Sequence, residues 1–301
     1  MADSSGVLVV ICTYQRNVGL AKTLRSLLPS QVIYGYRVLI VDNNPDGSAR
    51  GVLDEFPWAM YVHEPRPGIP SARNAALSLR GNSWGLVFLD DDEFVSEEWF
   101  RLLVDHAGQC DAHIHFAPVL PAYGPDANPL LIDGQFFERR RYSTDTAMPF
   151  GPTNNVFIRT EILDAVGPLL FDVEMSTSGG SDVDFFRRLT QLGAVARWFD
   201  DAVVFEDVPA NRANYAWLAL RFKRVGNNQA RLMLYERRPY RVVLSGISRV
   251  ALGAIRMGIG YIRRRPAHRD SFGLMHRGLG MIGYLFNRAR VDEYARTETP
   301  A

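Results

Sequence analysis

Cysteine is scarce in this sequence, with only Cys12 and Cys110 among 301 residues. Each lies in or near an apolar stretch, so two buried thiols are expected rather than a disulfide. The CxxC and Cys/His spacings typical of structural zinc sites are absent. His113 and His115 alternate on a predicted strand, where a structural role is expected for both. The N-terminus lacks the basic segment and cleavage site of a signal peptide, which predicts a cytoplasmic protein.

The net charge is only +1, but the charges are unevenly distributed. Residues 1–210 carry 16 Lys and Arg and 28 Asp and Glu, whereas residues 211–301 carry 18 and 5. Such a division favours two parts with different roles, the second facing an anionic partner. We therefore predict an α/β domain over residues 1–210 and an Arg-rich helical region over 211–301.

Strand and helix patterns alternate over the first hundred residues. β-Branched apolar runs predict strands, and a leucine repeat predicts a helix up to Pro29. The predicted strands are residues 7–11, 37–41, 58–63 and 84–89. This alternation is typical of parallel βαβ units, in which ligands bind beyond the carboxyl ends of the strands. Polar residues follow three of these ends, at 13–16, 42–44 and 90–92, which predicts one shared site.

Three consecutive carboxylates, Asp90, Asp91 and Asp92, follow the strand at residues 84–89. Like charges placed together need compensation, and a hard divalent cation such as Mg²⁺ or Mn²⁺ provides it through oxygen ligands. The spacing Asp90-x-Asp92 suits a turn whose alternate carboxylates converge. The alternative is a solvated acidic turn that caps the next helix.

Six stretches carry a resemblance to a known family. In order, they are VVICTYQRNVGLAKTLRSL, VDNNPDGSA, PGIPSARNAAL, VFLDDDEFV, GPTNNVFIR and GGSDVDFFRRL. The set covers about residues 7–190 and resembles family 2 glycosyltransferases, which have the GT-A fold. It is most similar to the branch that builds bacterial exopolysaccharides such as succinoglycan. The resemblance implies a Rossmann-like, mostly parallel catalytic domain and a UDP-sugar donor.

The resemblance also implies a donor site at matched positions. It places nucleotide-sugar contacts at Thr13, Tyr14, Arg16, Asp42, Arg73, Asp90 and Asp91. It assigns Asp92, together with Asp90, to a divalent metal that neutralises the departing nucleoside diphosphate. Each of three of these residues also has a purely structural interpretation. Asp42 would belong to a simple turn, Arg73 would lie on a helix surface, and Tyr14 would serve only in packing.

The resemblance implies an inverting transfer, in which a carboxylate takes the proton of the acceptor hydroxyl. The family usually has Glu-Asp at the position where this chain has Ser181 and Asp182. Asp182 is therefore the predicted catalytic base. Asp184 competes for the role, but its spacing from Ser181 suggests a capping box. Asn154 and Asn155 match the acceptor side of the pocket, although they could equally be strand-edge residues.

The basic C-terminal region contains an apolar segment over residues 242–262, interrupted by Arg249 and Arg256. These two residues are seven apart, so a helix places both on one face. An arginine in the middle of a bilayer is costly, which favours an interfacial helix on an anionic membrane. We expect a peripheral protein on the inner face of the cell membrane, a polyprenyl-linked saccharide acceptor and no nucleic-acid partner. Helices packed on the catalytic domain are the alternative.

Two other functions remain open from the sequence. An Asp-x-Asp phosphohydrolase would use Asp90 and Asp92, but that class would want Thr or Val at the position of Phe94. Its acidic motif also normally follows the first strand. A non-catalytic nucleotide-sugar-binding protein would explain the loss of Glu at Ser181, although Asp182 is retained.

Overall fold

The computed structural model describes residues 4–125, 127–176, 179–235, 239–265 and 268–287. Contacts divide these residues into two compact units. The first holds residues up to 120 with 139–176 and 180–206, and the second holds 121–138 and the chain from 207 onward. The domain boundary at residue 210 stays a prediction, and the contacts additionally group residues 121–138 with the C-terminal helices.

Strands and helices alternate as the periodicities predict. The strands are β1 (Val7–Thr13), β2 (Arg37–Asp42), β3 (Met60–His63), β4 (Gly85–Asp90), β5 (Glu93–Val95), β6 (Ile114–Phe116), β7 (Val119–Ala122), β8 (Val156–Arg159), β9 (Ala196–Trp198) and β10 (Val204–Asp207). The helices are α1 (Asn17–Tyr34), α2 (Ile69–Ser78), α3 (Trp99–Gln109), α4 (Pro129–Asp133), α5 (Thr160–Val166), α6 (Ser181–Gln191), α7 (Tyr215–Tyr235), α8 (Pro239–Ile262) and α9 (Arg269–Asn287).

The main sheet has seven strands in the order β3-β2-β1-β4-β8-β6-β9. Strands β3, β2, β1 and β4 are mutually parallel, whereas β8 runs antiparallel to both β4 and β6. The α/β class with a mostly parallel sheet is confirmed. Helices cover both faces, so β1 is buried along its length and reads as a continuous apolar run.

Helix α1 does not end at Pro29, where the sequence analysis placed its end. It continues to Tyr34 and ends at Gly35, which adopts the left-handed conformation with φ 66°. Pro29 lies on the solvent side, where a missing hydrogen bond is tolerated, and the next residue is anchored. The hydroxyl oxygens of Ser30 and Tyr36 are 2.7 Å apart in the interior.

Asn155 joins three segments of the first unit from a fully buried position with φ 48°. Its Oδ1 accepts a hydrogen bond from Trp99 Nε1 at 2.9 Å. Its Nδ2 donates to the carbonyl oxygens of Pro118 at 2.8 Å and Ala202 at 2.7 Å. One amide therefore ties α3 to the segments before β7 and β10. Asn is also among the few residues that tolerate a positive φ.

Helices α7, α8 and α9 of the second unit approach one another through glycines. A Cβ at Gly226 of α7 would overlap the carbonyl oxygen of Arg277 in α9. A Cβ at Gly253 of α8 would lie 2.6 Å from the backbone nitrogen of Met275, and one at Gly278 would lie 2.6 Å from the carbonyl oxygen of Gly246. These backbones can approach so closely because no side chain stands between them.

Replacing Asn155 with alanine is expected to destabilise the protein by about 3 kcal/mol or more. The change leaves the indole N–H of Trp99 and two buried carbonyl groups without their partner, and each such group costs about 1–3 kcal/mol. Urea denaturation measures the loss. The matched control is Asn154→Ala, at a neighbouring buried residue whose Oδ1 has no hydrogen-bond partner among the described residues. Its expected change is below about 1 kcal/mol, and equal losses in the two variants would refute the bridging role.

Candidate functional site

The ends of β1 and β4 meet through the carboxylate of Asp91, which is 4% exposed. Thr13 Oγ1 donates to Asp91 Oδ2 at 2.7 Å. Arg16 Nη1 donates to Asp91 Oδ1 at 3.0 Å and to Asp92 Oδ2 at 2.7 Å. Tyr14 lies half-buried on the same loop. The polar clusters at residues 13–16 and 90–92 therefore meet, as the strand pattern predicts.

The acidic cluster holds more negative charge than its neighbouring cations offset. Burial, with smaller contributions from Asp92 and Asp91, raises the pKa of Asp90 to about 6, although Arg73 and Arg139 oppose the shift. Burial and the nearby Asp90 raise the pKa of Glu93 well above its usual value. A further cation beside these buried carboxylates would stabilise their charged forms.

The donor set fits a hard divalent metal ion at Asp90 and Asp92. Both oxygens of Asp91 accept hydrogen bonds, from Thr13 and from Arg16. Asp92 accepts from Arg16 through Oδ2, and its side chain is 27% exposed. Carboxylate oxygens are the ligands that Mg²⁺ and Mn²⁺ prefer. Across the described part of the chain, the three aspartates do not form a convergent group of three ligands. A metal here would therefore take its remaining ligands from a diphosphate and water.

Arg73 connects this cluster to the start of α6. It lies on α2, is 9% exposed, and interacts electrostatically with Asp90. Its Nη1 donates to Ser181 Oγ at 3.4 Å, and its guanidinium lies 5.6 Å from the centre of the Phe171 ring. Arg73 is therefore a buried residue between two predicted site segments and not a helix-surface arginine.

Asp182 lies in the first turn of α6 and is half-buried. Its Oδ1 accepts a hydrogen bond from the backbone N–H of Val183 at 2.8 Å. The partial positive charge at a helix N-terminus favours a carboxylate at this position. Its chain neighbour Ser181 contacts Arg73, which in turn interacts with Asp90.

The capping box predicted for Ser181 and Asp184 is wrong. Gly180 occupies the N-cap in a left-handed conformation with φ 86°, and no side chain caps the helix. Ser181 instead accepts the bond from Arg73. Asp184 Oδ2 accepts from Arg188 Nε at 2.7 Å, one turn along α6. Asp184 is therefore paired, whereas Asp182 is the carboxylate of that turn that has no cationic partner among the described residues.

Asp42 is completely buried at the end of β2. Its carboxylate accepts hydrogen bonds from the backbone N–H groups of Asn44 at 2.9 Å and Ala49 at 2.7 Å, and from the Tyr61 hydroxyl at 3.2 Å. Burial and the Asp42 carboxylate raise the pKa of Tyr61 to about 12. The nucleotide contact of Asp42 stays a prediction.

The two asparagines matched to the acceptor side differ in their surroundings. Asn154 is 5% exposed, and its Oδ1 is buried without a partner among the described residues. The amide of Asn155 is instead used by Trp99, Pro118 and Ala202. The predicted acceptor contact of Asn155 is therefore not supported, because its positive φ turns the side chain into the interior.

Sequence reasoning missed three charged residues beside the cluster. Glu93 Oε2 accepts a hydrogen bond from the Asp90 backbone N–H at 3.0 Å. Arg139 forms an ion pair with Glu206. Burial alone would lower the Arg139 pKa, but Glu206, Glu93 and Asp90 raise it. Glu93 directly follows the three aspartates and could have been included in the predicted acidic cluster. No local sequence pattern connects that cluster with Arg139 or Glu206.

Comparison with known proteins gives the family. The sequence model of glycosyl transferase family 2 matches residues 8–167, more than half of the chain. The succinoglycan biosynthesis protein ExoM of Rhizobium meliloti (strain 1021) is 35% identical over 304 residues, which cover 96% of this chain and 95% of that protein. Both matches agree with the resemblance seen in the sequence motifs.

Solved structures share the fold at low sequence identity. S. aureus TarS 1-349 gives a TM-score of 0.55 with 13% identity, over 93% of this chain and 91% of that one. GalNAc-T7 with UDP, GalNAc and Mn²⁺ gives 0.53 with 14% identity, over 74% of this chain and 47% of that one. These likenesses show the fold alone, and the predicted GT-A fold is confirmed.

The family match argues against the Asp-x-Asp phosphohydrolase considered from the sequence. The acidic residues follow β4 and not the first strand, which also departs from the Asp-x-Asp phosphohydrolase pattern. The family model and the biosynthetic relative support an enzyme over a non-catalytic nucleotide-sugar-binding protein. The chain belongs to glycosyl transferase family 2, and it is a glycosyltransferase of the type that acts in exopolysaccharide synthesis.

Proposed function

We propose that this glycosyltransferase moves a sugar, with inversion, from a UDP-linked donor to a saccharide carried on a polyprenyl lipid, with the help of a divalent metal. The observation that carries the proposal is the position of Arg73 between Asp90 and Ser181. Arg73 brings the acidic cluster, where a donor diphosphate and metal would bind, next to the helix that bears Asp182.

The donor half of the proposal rests on charge and on the related structures. A diphosphate needs cations, and Asp90 and Asp92 supply the carboxylates that would hold a divalent one. When bound, this ion would neutralise the charge that develops on the leaving diphosphate. TarS has been solved with UDP and with UDP-GlcNAc, and GalNAc-T7 with UDP and Mn²⁺. We extend the UDP-sugar and metal classes to this chain on that basis.

The acceptor half rests on Asp182. As the acceptor hydroxyl oxygen forms its bond to the anomeric carbon, the bond to the nucleoside diphosphate breaks, and Asp182 takes the hydroxyl proton. Arg73 is a positioning residue, because its bond to Ser181 orients the first turn of α6. The buried and unpartnered Oδ1 of Asn154 is a candidate acceptor contact.

The membrane part of the proposal rests on α8, which is 24 residues long. An 18-residue window within it has a mean hydropathy of 1.5 and is only 17% buried. By length and composition it is the one described helix that could cross a membrane. Large apolar side chains are exposed along it, namely Val243, Leu244, Ile247, Leu252, Ile255, Ile259 and Ile262. A contiguous apolar surface of this kind marks an interaction site.

The arginines around α8 fit an interfacial position. Arg249 does not lie on the exposed face, since it donates to Gln229 of α7 and lies 3.4 Å from Met281 Sδ of α9. Arg256 is exposed, as are the three arginines 263–265 at the end of the helix. A helix with an apolar face and flanking arginines binds anionic headgroups. We therefore place the protein on the cytoplasmic face of the membrane, where a polyprenyl-linked acceptor lies.

A UDP-sugar together with Mn²⁺ or Mg²⁺ is expected to raise the thermal midpoint of the full-length protein, and EDTA should remove the shift. Saturation at about 100 times Kd stabilises by about 2.7 kcal/mol, which corresponds to several degrees. Thermal-shift assays with UDP-, GDP- and dTDP-sugars measure the effect. Asp92→Asn should lose the metal-dependent part. A wild-type response in Asp92→Asn, or no response to any nucleotide, would overturn the donor assignment.

Replacing Asp182 with asparagine is expected to lower turnover by about 10²–10⁴-fold, the usual contribution of a general base. Donor affinity should stay nearly unchanged, because the amide keeps the shape of the side chain. UDP release in the presence of lipid-linked saccharides extracted from an exopolysaccharide-producing bacterium measures turnover, and calorimetry measures donor binding. Asp184→Asn is the matched control and should remain active. Near-normal turnover in Asp182→Asn would exclude this residue as the base.

The full-length protein is expected to sediment with anionic vesicles at low salt and to be released at high salt. The double variant Leu244→Gln, Ile247→Gln should weaken partitioning by about 100-fold or more, since each buried side chain contributes about 1.5–3 kcal/mol. The control is Val32→Gln, Ile33→Gln on α1, where the exposed fractions of 72% and 70% are comparable. If wild type stays in the supernatant, or if both double variants bind equally, α8 is not the membrane face.

A further inference from the structure

Three potential metal ligands meet at the C-terminal end of α3, in a part of the first unit that the transfer reaction does not use. They are His106, Cys110 and His115, and one nitrogen or sulfur atom of each lies within 4.8 Å of the others. His106 and Cys110 are four residues apart, on one face of the helix end, and His115 comes from the middle of β6. Cys110 is a free, half-buried thiol.

His115 has one ring nitrogen, Nδ1, that forms no hydrogen bond with a described residue. The residue is completely buried, and its Nε2 lies 3.0 Å from the carbonyl oxygen of Ala112. This contact requires the proton on Nε2 and leaves the lone pair on Nδ1, which is buried without a partner among the described residues. A histidine that donates one ring N–H to a backbone carbonyl while the other nitrogen faces a metal is the usual arrangement in metal sites.

His106 shows the same feature. Its Nε2 is also buried without a hydrogen-bond partner in the described ranges, and its ring stacks on Phe199 at a centroid distance of 3.9 Å. Asp145 Oδ1 lies 3.8 Å from that nitrogen, and a movement of this exposed side chain would allow it to provide a fourth ligand. Two unpartnered imidazole nitrogens in one small interior volume are unusual, because buried polar atoms are normally hydrogen-bonded.

An arginine holds the backbone at Cys110. Arg159 Nη2 donates to the Cys110 carbonyl oxygen at 2.6 Å and fixes the backbone that carries the thiol.

We propose that His106, Cys110 and His115 form a structural zinc site that joins the end of α3 to β6, with Asp145 or water in the fourth position. Two imidazoles and a thiolate form a ligand set that Zn²⁺ prefers, whereas Mg²⁺ and Mn²⁺ prefer oxygen. The site is therefore chemically distinct from the acidic cluster at Asp90 and Asp92. It revises the expectation that the sequence holds no Cys/His zinc site, since the third ligand comes from a strand beyond the helix.

The test uses the full-length protein, stripped with a chelator and then loaded with Zn²⁺ or Co²⁺. Cobalt bound by a thiolate gives a charge-transfer absorption, and a tetrahedral site gives intense ligand-field bands. Wild type should show both and should retain a single equivalent of zinc after gel filtration. Cys110→Ser should lose the thiolate absorption, whereas Cys12→Ser and Asp92→Asn should keep it.

Histidine variants give a second, independent comparison. His115→Gln should weaken zinc binding by about 100-fold or more, because even the loss of a partner behind a ligand costs 10–100-fold. His113→Gln changes the histidine two residues earlier on the chain and should bind zinc like wild type. Circular dichroism checks that each variant is folded. If His115→Gln does not fold, the result for Cys110→Ser alone tests the site. Wild type without thiolate absorption, or undiminished absorption in Cys110→Ser, would overturn the site.

Discussion

A buried carboxylate must be compensated inside the protein, and for Asp91 the compensation comes from Thr13 and Arg16 on the loop after β1. These bonds join two neighbouring strand ends and determine how the flanking aspartates are presented. The position of helix α1 is also fixed by contacts with this acidic segment. A Cβ at Gly19 would lie 2.7 Å from the Asp91 carbonyl oxygen, and Thr23 Oγ1 donates to the Glu93 carbonyl oxygen at 2.5 Å. The loop, the helix and the acidic cluster are therefore positioned together.

The meeting of the acidic cluster with the loop after β1 was predictable because parallel neighbouring strands carry their carboxyl ends to one edge. Such reasoning uses only the strand pattern and the residue that follows each strand. The role of Asn155 was not predictable in this way, since it depends on a positive φ at the start of β8. The position of Arg139 and Glu206 beside the acidic cluster was not predictable either, because no period or motif connects them with residues 90–93.

The start of α6 shows how the structure accommodates a residue that differs from the family pattern. Where the family usually has Glu, this chain has Ser181, and its hydroxyl oxygen accepts a bond from the buried guanidinium of Arg73. The other acidic residue of that turn, Asp184, is paired with Arg188 and lies within 3.8 Å of Arg187. The pairing of Asp184 therefore supports the proposal that Asp182 is the base, a role for which the two aspartates compete in the sequence.

The glycines between α7, α8 and α9 have a consequence for the environment of the second unit. Side-chain packing driven by the release of water loses its driving force where lipid replaces water. Close backbone contact, as at Gly226, Gly253 and Gly278, relies on dispersion and short-range polar attraction instead. The glycine contacts between these helices therefore do not depend on water outside, and they would be kept if acyl chains replaced water along the exposed side of α8.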